Sequence, residues 1–248
     1  MSAAAVFVDR SIRSSLRKVD SLLLSILLPV LMMVLFTFVF GGAIDPSGGY
    51  LSYVLPGIII LCAGYGAATT AVDVAEDMRT GAINRFRTLP IRSGTVLVGH
   101  VAASLARNLV ATIMVLLVGV LMGFRPEAGP LGWLGALGIV AVYIIALTTL
   151  FAAVGLVAGS PEAASGYTFL VMFLPYLSSG FVPLDTLPSW LRPIAEHQPV
   201  TPLIEATRHL LAGTDPGALP WIALAWCAGI LVLAIGWISW QFPRRVLR

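Results

Sequence analysis

Six apolar runs, each about long enough to cross a bilayer, constrain this chain more than anything else in it. They are Ser21–Phe40, Tyr53–Val72, Val96–Met122, Leu131–Val157, Gly166–Val182 and Pro220–Trp240. A helical span needs about 20 mostly apolar residues to cover about 30 Å of hydrocarbon. The fifth run is the shortest, and the third and fourth are long enough to tilt. Only 11% of the residues are charged and 58% are hydrophobic, against about 25% and about 45–50% in soluble domains. So few charges cannot cover a water-exposed surface. This argues against a soluble enzyme, a disordered chain and a nucleic-acid binder, and for an all-α integral membrane protein with one transmembrane domain over 1–248. No small-residue cleavage site follows the basic N-terminus, and the run after it is long enough to stay in the membrane.

Lysine and arginine orient the spans. Arg10, Arg13, Arg17 and Lys18 precede the first run. Arg79, Arg85, Arg87 and Arg92 follow the second, and Arg244, Arg245 and Arg248 follow the sixth. That places eleven on one side against Arg125, Arg192 and Arg208 on the other. The bias predicts two cytoplasmic termini, as an even span count requires. Before the first run, Ile12, Leu16 and Val19 recur at helical spacing while the arginines occupy another face. This predicts an amphipathic helix over 1–20 lying at the membrane interface; a plain positive-inside anchor has the same composition.

Several chemistries lack their residues. The one lysine, Lys18, is not in a Gly-rich turn before Ser or Thr, so the chain carries no phosphate-cradling P-loop. His100, His197 and His209 form no His-Glu-x-x-His pair, and Cys62 and Cys227 both lie in apolar runs; neither a zinc site nor a disulfide framework is expected. No Gly-x-Ser-x-Gly elbow is present. The sequence therefore predicts no catalytic site, no metal and no cofactor on this chain. Within the runs the ionisable residues are His100 and Arg107, seven apart and so on one face of the third helix. Such residues are costly at membrane depth and are functional candidates unless they pair or snorkel. No run has a central Asp or Glu, which counts against a proton-coupled carrier. Gly119/Gly123 and Gly155/Gly159 are four apart and would let helices approach closely, and Pro29 and Pro175 are candidate kinks.

Two connecting stretches carry more information than a plain loop. In Asp73–Ser93, acidic residues come first and arginines follow, with Phe86 and Leu89 three apart among the charges. Acid early and base late suits a helix dipole, and the apolar pair suits a short helix docking into a partner's groove. In Val182–Gly213, Trp190 and Pro193 are followed by Thr201-Pro202, an N-cap and first-turn proline pattern. Leu203, Thr207, Leu210 and Leu211 then share a face, and Gly213 is placed to end the helix. Eleven residues reach about 16 Å, half a bilayer, so this helix is re-entrant or interfacial. Glu205, Arg208 and His209 stand at i, i+3 and i+4 as a local polar cluster.

These stretches also carry a resemblance. RTGAINRFRTLPIRSGTVLVGH, followed by ARNL at Ala106–Leu109 and LMGFR at Leu121–Arg125, resembles the ABC-2 type transporter permeases, and most closely the daunorubicin-resistance permeases of actinobacterial drug exporters. The segment Ser178–Gly213 resembles the same subfamily before its last span. The resemblance implies a half-transporter in a bacterial plasma membrane, paired with a second permease chain as homodimer or heterodimer. It further implies a separate cytoplasmic P-loop ATPase that binds the ATP and Mg and drives the transporter. It implies that Glu76, Asp77, Arg79, Gly81, Asn84, Arg85 and Phe86 form the ATPase-coupling segment. Pro183, Trp190, Glu196, Thr201, Glu205 and Arg208 would belong to short re-entrant helices between the fifth and sixth spans. Tyr65, Phe169, Phe173 and Tyr176 are candidates to line the path of a hydrophobic, drug-like or lipid-like substrate; packing or lipid contact explains such aromatics equally well. The alternative is a secondary transporter or channel with no ATPase.

Overall fold

A computed structural model describes residues 19–80 and 94–246. Of the interfacial helix expected over 1–20, residues 1–18 lie outside them, and Val19 and Asp20 begin the first long helix instead. Among the described residues the chain is helices joined by turns and short irregular loops, with no strand. The helices are α1 (Val19–Leu35), α2 (Tyr50–Arg79), α3 (Gly94–Leu121), α4 (Pro130–Val157), α5 (Pro161–Val171), α6 (Arg192–His197), α7 (Val200–Leu211) and α8 (Leu219–Val246). A π-helical stretch, Phe36–Phe40, and one more turn, Gly41–Ile44, extend α1. Pro29 sits inside α1 without ending it.

Five helices are long and apolar enough to cross a membrane: Ser25–Ile44, α2, Val98–Leu121, α4 and Leu219–Gln241. The chain is thus a multi-pass membrane protein. The remaining run, Gly166–Val182, is not one helix. Helix α5 is 11 residues long and a 3-10 turn, Leu174–Leu177, follows it. Pro175 supplies the reason: its ring would clash with the carbonyl four residues back, at Val171, where α5 stops. The segment still runs the length of α2. Its Glu162 lies within electrostatic range of Arg79 at one end, and Phe181 O accepts the Tyr50 hydroxyl at 2.7 Å at the other. Ser160 starts α5 by accepting Ala163 N–H at 3.2 Å, a side-chain cap.

Helix α2 is the centre of the bundle. Every residue from Val54 to Gly64 is buried, three full turns with no face left for lipid. Lipid tails are as apolar as leucine, so burial alone does not drive this association. Close van der Waals packing does, and small residues permit it. A Cβ on Gly155 of α4 would lie 2.5 Å from Ala71 O of α2, and one on Gly57 would lie 2.7 Å from Gly180 O. The partners read from four-residue spacing behave differently: nothing lies within 4 Å of a Cβ at Gly159, and Gly123 follows α3 with φ +112°. At the periphery, α1 exposes Leu23, Leu27 and Leu31, and α8 exposes Trp221, Trp226, Leu233 and Trp240. Such stripes belong against hydrocarbon.

The second run is longer than its hydropathy suggests. Helix α2 continues past Val72 through the acidic residues to Arg79. The first part of the Asp73–Ser93 stretch is therefore helix, held by Val74 packed on Ala152 and Leu156 of α4.

Candidate functional site

Tyr65 on α2 and Phe169 on α5 face each other, and Phe173 and Tyr176 follow where α5 has given way to turns. With Met172 they line a cavity of about 240 Å³. The loss of helix at Pro175 is what turns successive aromatics toward one space. Phe169 meets Phe173 edge-on at 5.0 Å between centroids, and Tyr176 stacks on Phe181 at 5.0 Å and 11°. Phe181 in turn touches Phe36 of the π-helical stretch, at 4.6 Å. A second cavity of about 210 Å³ shares Tyr65, Phe169 and Met172, and adds Thr69, Val72, Ser165 and Thr168. All four aromatics singled out in the sequence thus meet at one place. The walls are aromatic and apolar, with a few hydroxyls and no ionisable carboxylate or amine. Such a surface suits planar apolar molecules that carry one or two hydrogen-bonding groups.

Behind this wall a polar seam joins α2 to α3. His100 Nε2 lies 2.9 Å from Asp77 Oδ2. Arg107, 3% exposed, donates to Thr69 Oγ1 at 2.6 Å and Gly66 O at 3.2 Å, and the Asp73 carboxylate acts on it electrostatically. Asn108 donates to Ser104 Oγ at 3.1 Å, and Ser104 shares a hydrogen bond with Thr148 of α4, also at 3.1 Å. The Asn108 amide fills the notch left by Gly66, where a Cβ would lie 1.5 Å from Asn108 Oδ1. His100 and Arg107 do share a face, and that face is turned to α2. Their partners Asp73, Asp77 and Thr69 are four apart on α2. That spacing was the available signal, hidden because Asp73 and Asp77 fall beyond the apolar run, in the connecting stretch.

At the Tyr50 end, α7 closes over the bundle. Arg208 donates to Tyr53 O at 3.2 and 3.0 Å, to Ser179 O at 2.8 Å and to Glu205 Oε1 at 2.5 Å. Its guanidinium also lies 3.9 Å from the Tyr53 ring centroid, a cation–π contact. Glu205 and Arg208 pair as expected from their spacing, whereas His209 turns to Thr214 Oγ1 at 2.8 Å. The N-cap expected at Thr201 is corrected: α7 begins at Val200, and Thr201 Oγ1 donates to Ala195 O at 2.5 Å. The preceding α6 already offers that carbonyl, so the hydroxyl serves the junction between the helices. Gly213 has φ +68°, the left-handed conformation expected just past a helix end. Glu196 pairs with Arg192 at 2.6 Å on the surface. Pro183 O accepts from Thr186, and Trp190 is 71% exposed.

At the other end of α2, Glu76 and Arg79 form a two-pronged pair at 3.0 and 2.9 Å, with Arg79 well exposed. Gly81, Asn84, Arg85 and Phe86 lie outside the described residues. No group of three His, Cys, Asp or Glu side chains among the described residues is placed to hold a metal.

The model of the ABC-2 type transporter family matches residues 3–212. The chain is 34% identical over 191 residues to the daunorubicin resistance ABC transporter permease protein of Streptomyces coeruleorubidus, covering 76% of this chain and 68% of that one. It is 31% identical over 222 residues to a probable doxorubicin resistance ABC transporter permease protein of Mycobacterium tuberculosis, covering 86% and 80%. A putative transport permease of Porphyra purpurea is 28% identical over 207 residues. With its membrane-spanning helices and these relatives, the chain belongs to the ABC-2 type transporter family and is one of its permeases.

Proposed function

We propose that this chain is the transmembrane subunit of an ATP-driven exporter that moves hydrophobic, drug-like or lipid-like molecules out of the cytoplasm or inner leaflet. A separate P-loop ATPase binds ATP and Mg and supplies the energy, and a second permease chain completes the path. The observation that carries this reading is the aromatic cavity between α2 and α5, in a chain with relatives named for resistance to daunorubicin and doxorubicin. In this reading the broken segment 161–182 makes the fifth of six crossings. Both termini are then cytoplasmic, the first eighteen residues lie at the interface, and α6 and α7 form the re-entrant cap at the outer exit.

ATP binding draws two ATPase subunits together, and the segment around Glu76–Phe86 passes that motion to the first, second and fifth crossings. Switching a two-state assembly needs differential stabilisation of about 5.5 kcal/mol. A substrate bound equally well in both states supplies none of it, so the nucleotide must.

The test is to purify a tagged chain gently from its native host and identify what copurifies. A stoichiometric P-loop ATPase is expected, whose substrate export is lost when Glu76→Arg is combined with Arg85→Glu while membrane insertion is kept. Recovery of the permease with no ATPase, under conditions that preserve a known ABC complex, overturns the reading in favour of a secondary transporter or channel.

A further inference from the structure

The segment 80–93 joins α2 directly to α3, so any push on it reaches the bundle through those two helices together. Two clamps cross between them. One is the Asp77–His100 pair. The other is Arg107, held by Thr69, Gly66 and the charge of Asp73. His100 and Arg107 are seven residues apart, about 10 Å along α3. A single contact would let two helices pivot; two contacts that far apart resist both pivoting and sliding. The Asn108 amide seated in the Gly66 notch adds a steric key beside the second clamp. Arg107 is buried among these partners, where loss of its polar contacts is costly. At the far end of the seam, Thr69 receives Arg107 and also lines the second cavity, next to Tyr65.

We propose that His100 and Arg107 are positioning residues that lock α2 and α3 into one rigid lever, carrying displacement of the 80–93 segment to the cavity wall at Tyr65 and Thr69. Packed helices move as bodies between discrete arrangements rather than deforming continuously. The lever then keeps its internal geometry while its distance to α5 changes. This deepens the exporter reading and rests on it.

The test uses the full chain assembled with its ATPase in lipid nanodiscs, with Cys62→Ala and Cys227→Ala. Pairs of spin labels at Met78 and Val98 report α2 to α3, and pairs at Val72 and Leu170 report α2 to α5. Between the nucleotide-free and the ATP–vanadate-trapped states, the first distance is expected to stay constant and the second to shift by several ångström. A short bifunctional crosslink between Leu55→Cys of α2 and Gly119→Cys of α3, outside the coupling segment and where a Cβ on Gly119 would lie 3.0 Å from the Leu55 side chain, should leave the α2–α5 shift intact. His100→Ala with Arg107→Met should make the α2–α3 distance nucleotide-dependent and shrink the α2–α5 shift, while ATP turnover continues; a merely structural pair would lower both together. An α2–α3 distance that changes on trapping in the parent assembly, or a crosslink that abolishes the α2–α5 shift, overturns the lever. Absence of an ATPase from the purified assembly refutes the exporter reading instead.

Discussion

Replacing Arg208 with methionine should be among the most damaging single changes at the Tyr50 end. The side chain is 15% exposed and its partner Glu205 is 24% exposed. Arg208 reaches three backbone or side-chain acceptors on three elements: Tyr53 O on α2, Ser179 O in the irregular segment and Glu205 on α7. Methionine keeps most of the stem volume and removes every donor. Tyr53 O is inside a helix and retains its ladder position, so its loss is small. Ser179 O has no such ladder, and stranding it costs about 1–3 kcal/mol. Glu205 is left as a largely buried charge, and breaking such a pair from one side costs about 3–5 kcal/mol. The contributions overlap, so a total of about 3–5 kcal/mol is expected, roughly a 150- to 4,000-fold change in the folding equilibrium.

The assay is reversible unfolding of the purified chain in mixed bicelles by increasing detergent mole fraction. Glu205→Gln on top of Arg208→Met should recover about 1–2 kcal/mol, since it neutralises the stranded carboxylate. Arg208→Lys should fall between, because an ammonium cannot serve the carbonyls and the carboxylate in one fork. A cost below about 1 kcal/mol for Arg208→Met, the range of a surface pair, refutes the reasoning. So does a double variant no more stable than the single one.

Two further predictions use the same bundle. Gly57→Ala puts a Cβ 2.7 Å from Gly180 O and is expected to cost about 1–3 kcal/mol as overpacking. Gly138→Ala, with nothing within 4 Å, is its control and should be neutral or stabilising by up to about 1 kcal/mol in the same assay; equal costs for the two would sink the close-approach argument. Phe173→Ala removes an aromatic face from the cavity and is expected to weaken binding of a planar aromatic drug by about 0.5–1.5 kcal/mol, read by fluorescence titration in nanodiscs. Unchanged affinity there removes Phe173 from the path.

What could be read in advance depended on whether the signal was local. Runs of twenty apolar residues are local, so α1 to α4 and α8 were legible, with ends off by a few residues. Helix α2 outran its hydropathy because Val74 and Met78 pack on α4, contacts that no window along the sequence detects. The fifth run misled for the opposite reason: its hydropathy is continuous, but Pro175 breaks the helix and hydropathy is blind to backbone geometry. Arg107 and His100 stood out as intramembrane ions, yet their partners lie 23 to 41 residues away, across a helix pair. The cap at Thr201 failed because Ala195 O, six residues earlier, competes for the same hydroxyl. The aromatic candidates converge because a broken helix sends Phe173 and Tyr176 back toward Tyr65, a turn that residue types alone do not specify.

The tryptophans of α8 have a consequence of their own. Trp221 and Trp240 are both exposed and stand 19 residues apart, about 28 Å along the axis. Indole rings prefer the headgroup level at each face of a bilayer, so α8 is a ruler cut to one lipid thickness. In a thicker bilayer at least one ring is dragged into hydrocarbon; in a thinner one the helix leans, at fractions of a kcal/mol per Å. Helix α8 packs on α4, and α4 on α2, so the lean is handed to the centre of the molecule. The acyl-chain length of the surrounding membrane thereby becomes a setting on α2, the helix that supplies one wall of the aromatic cavity.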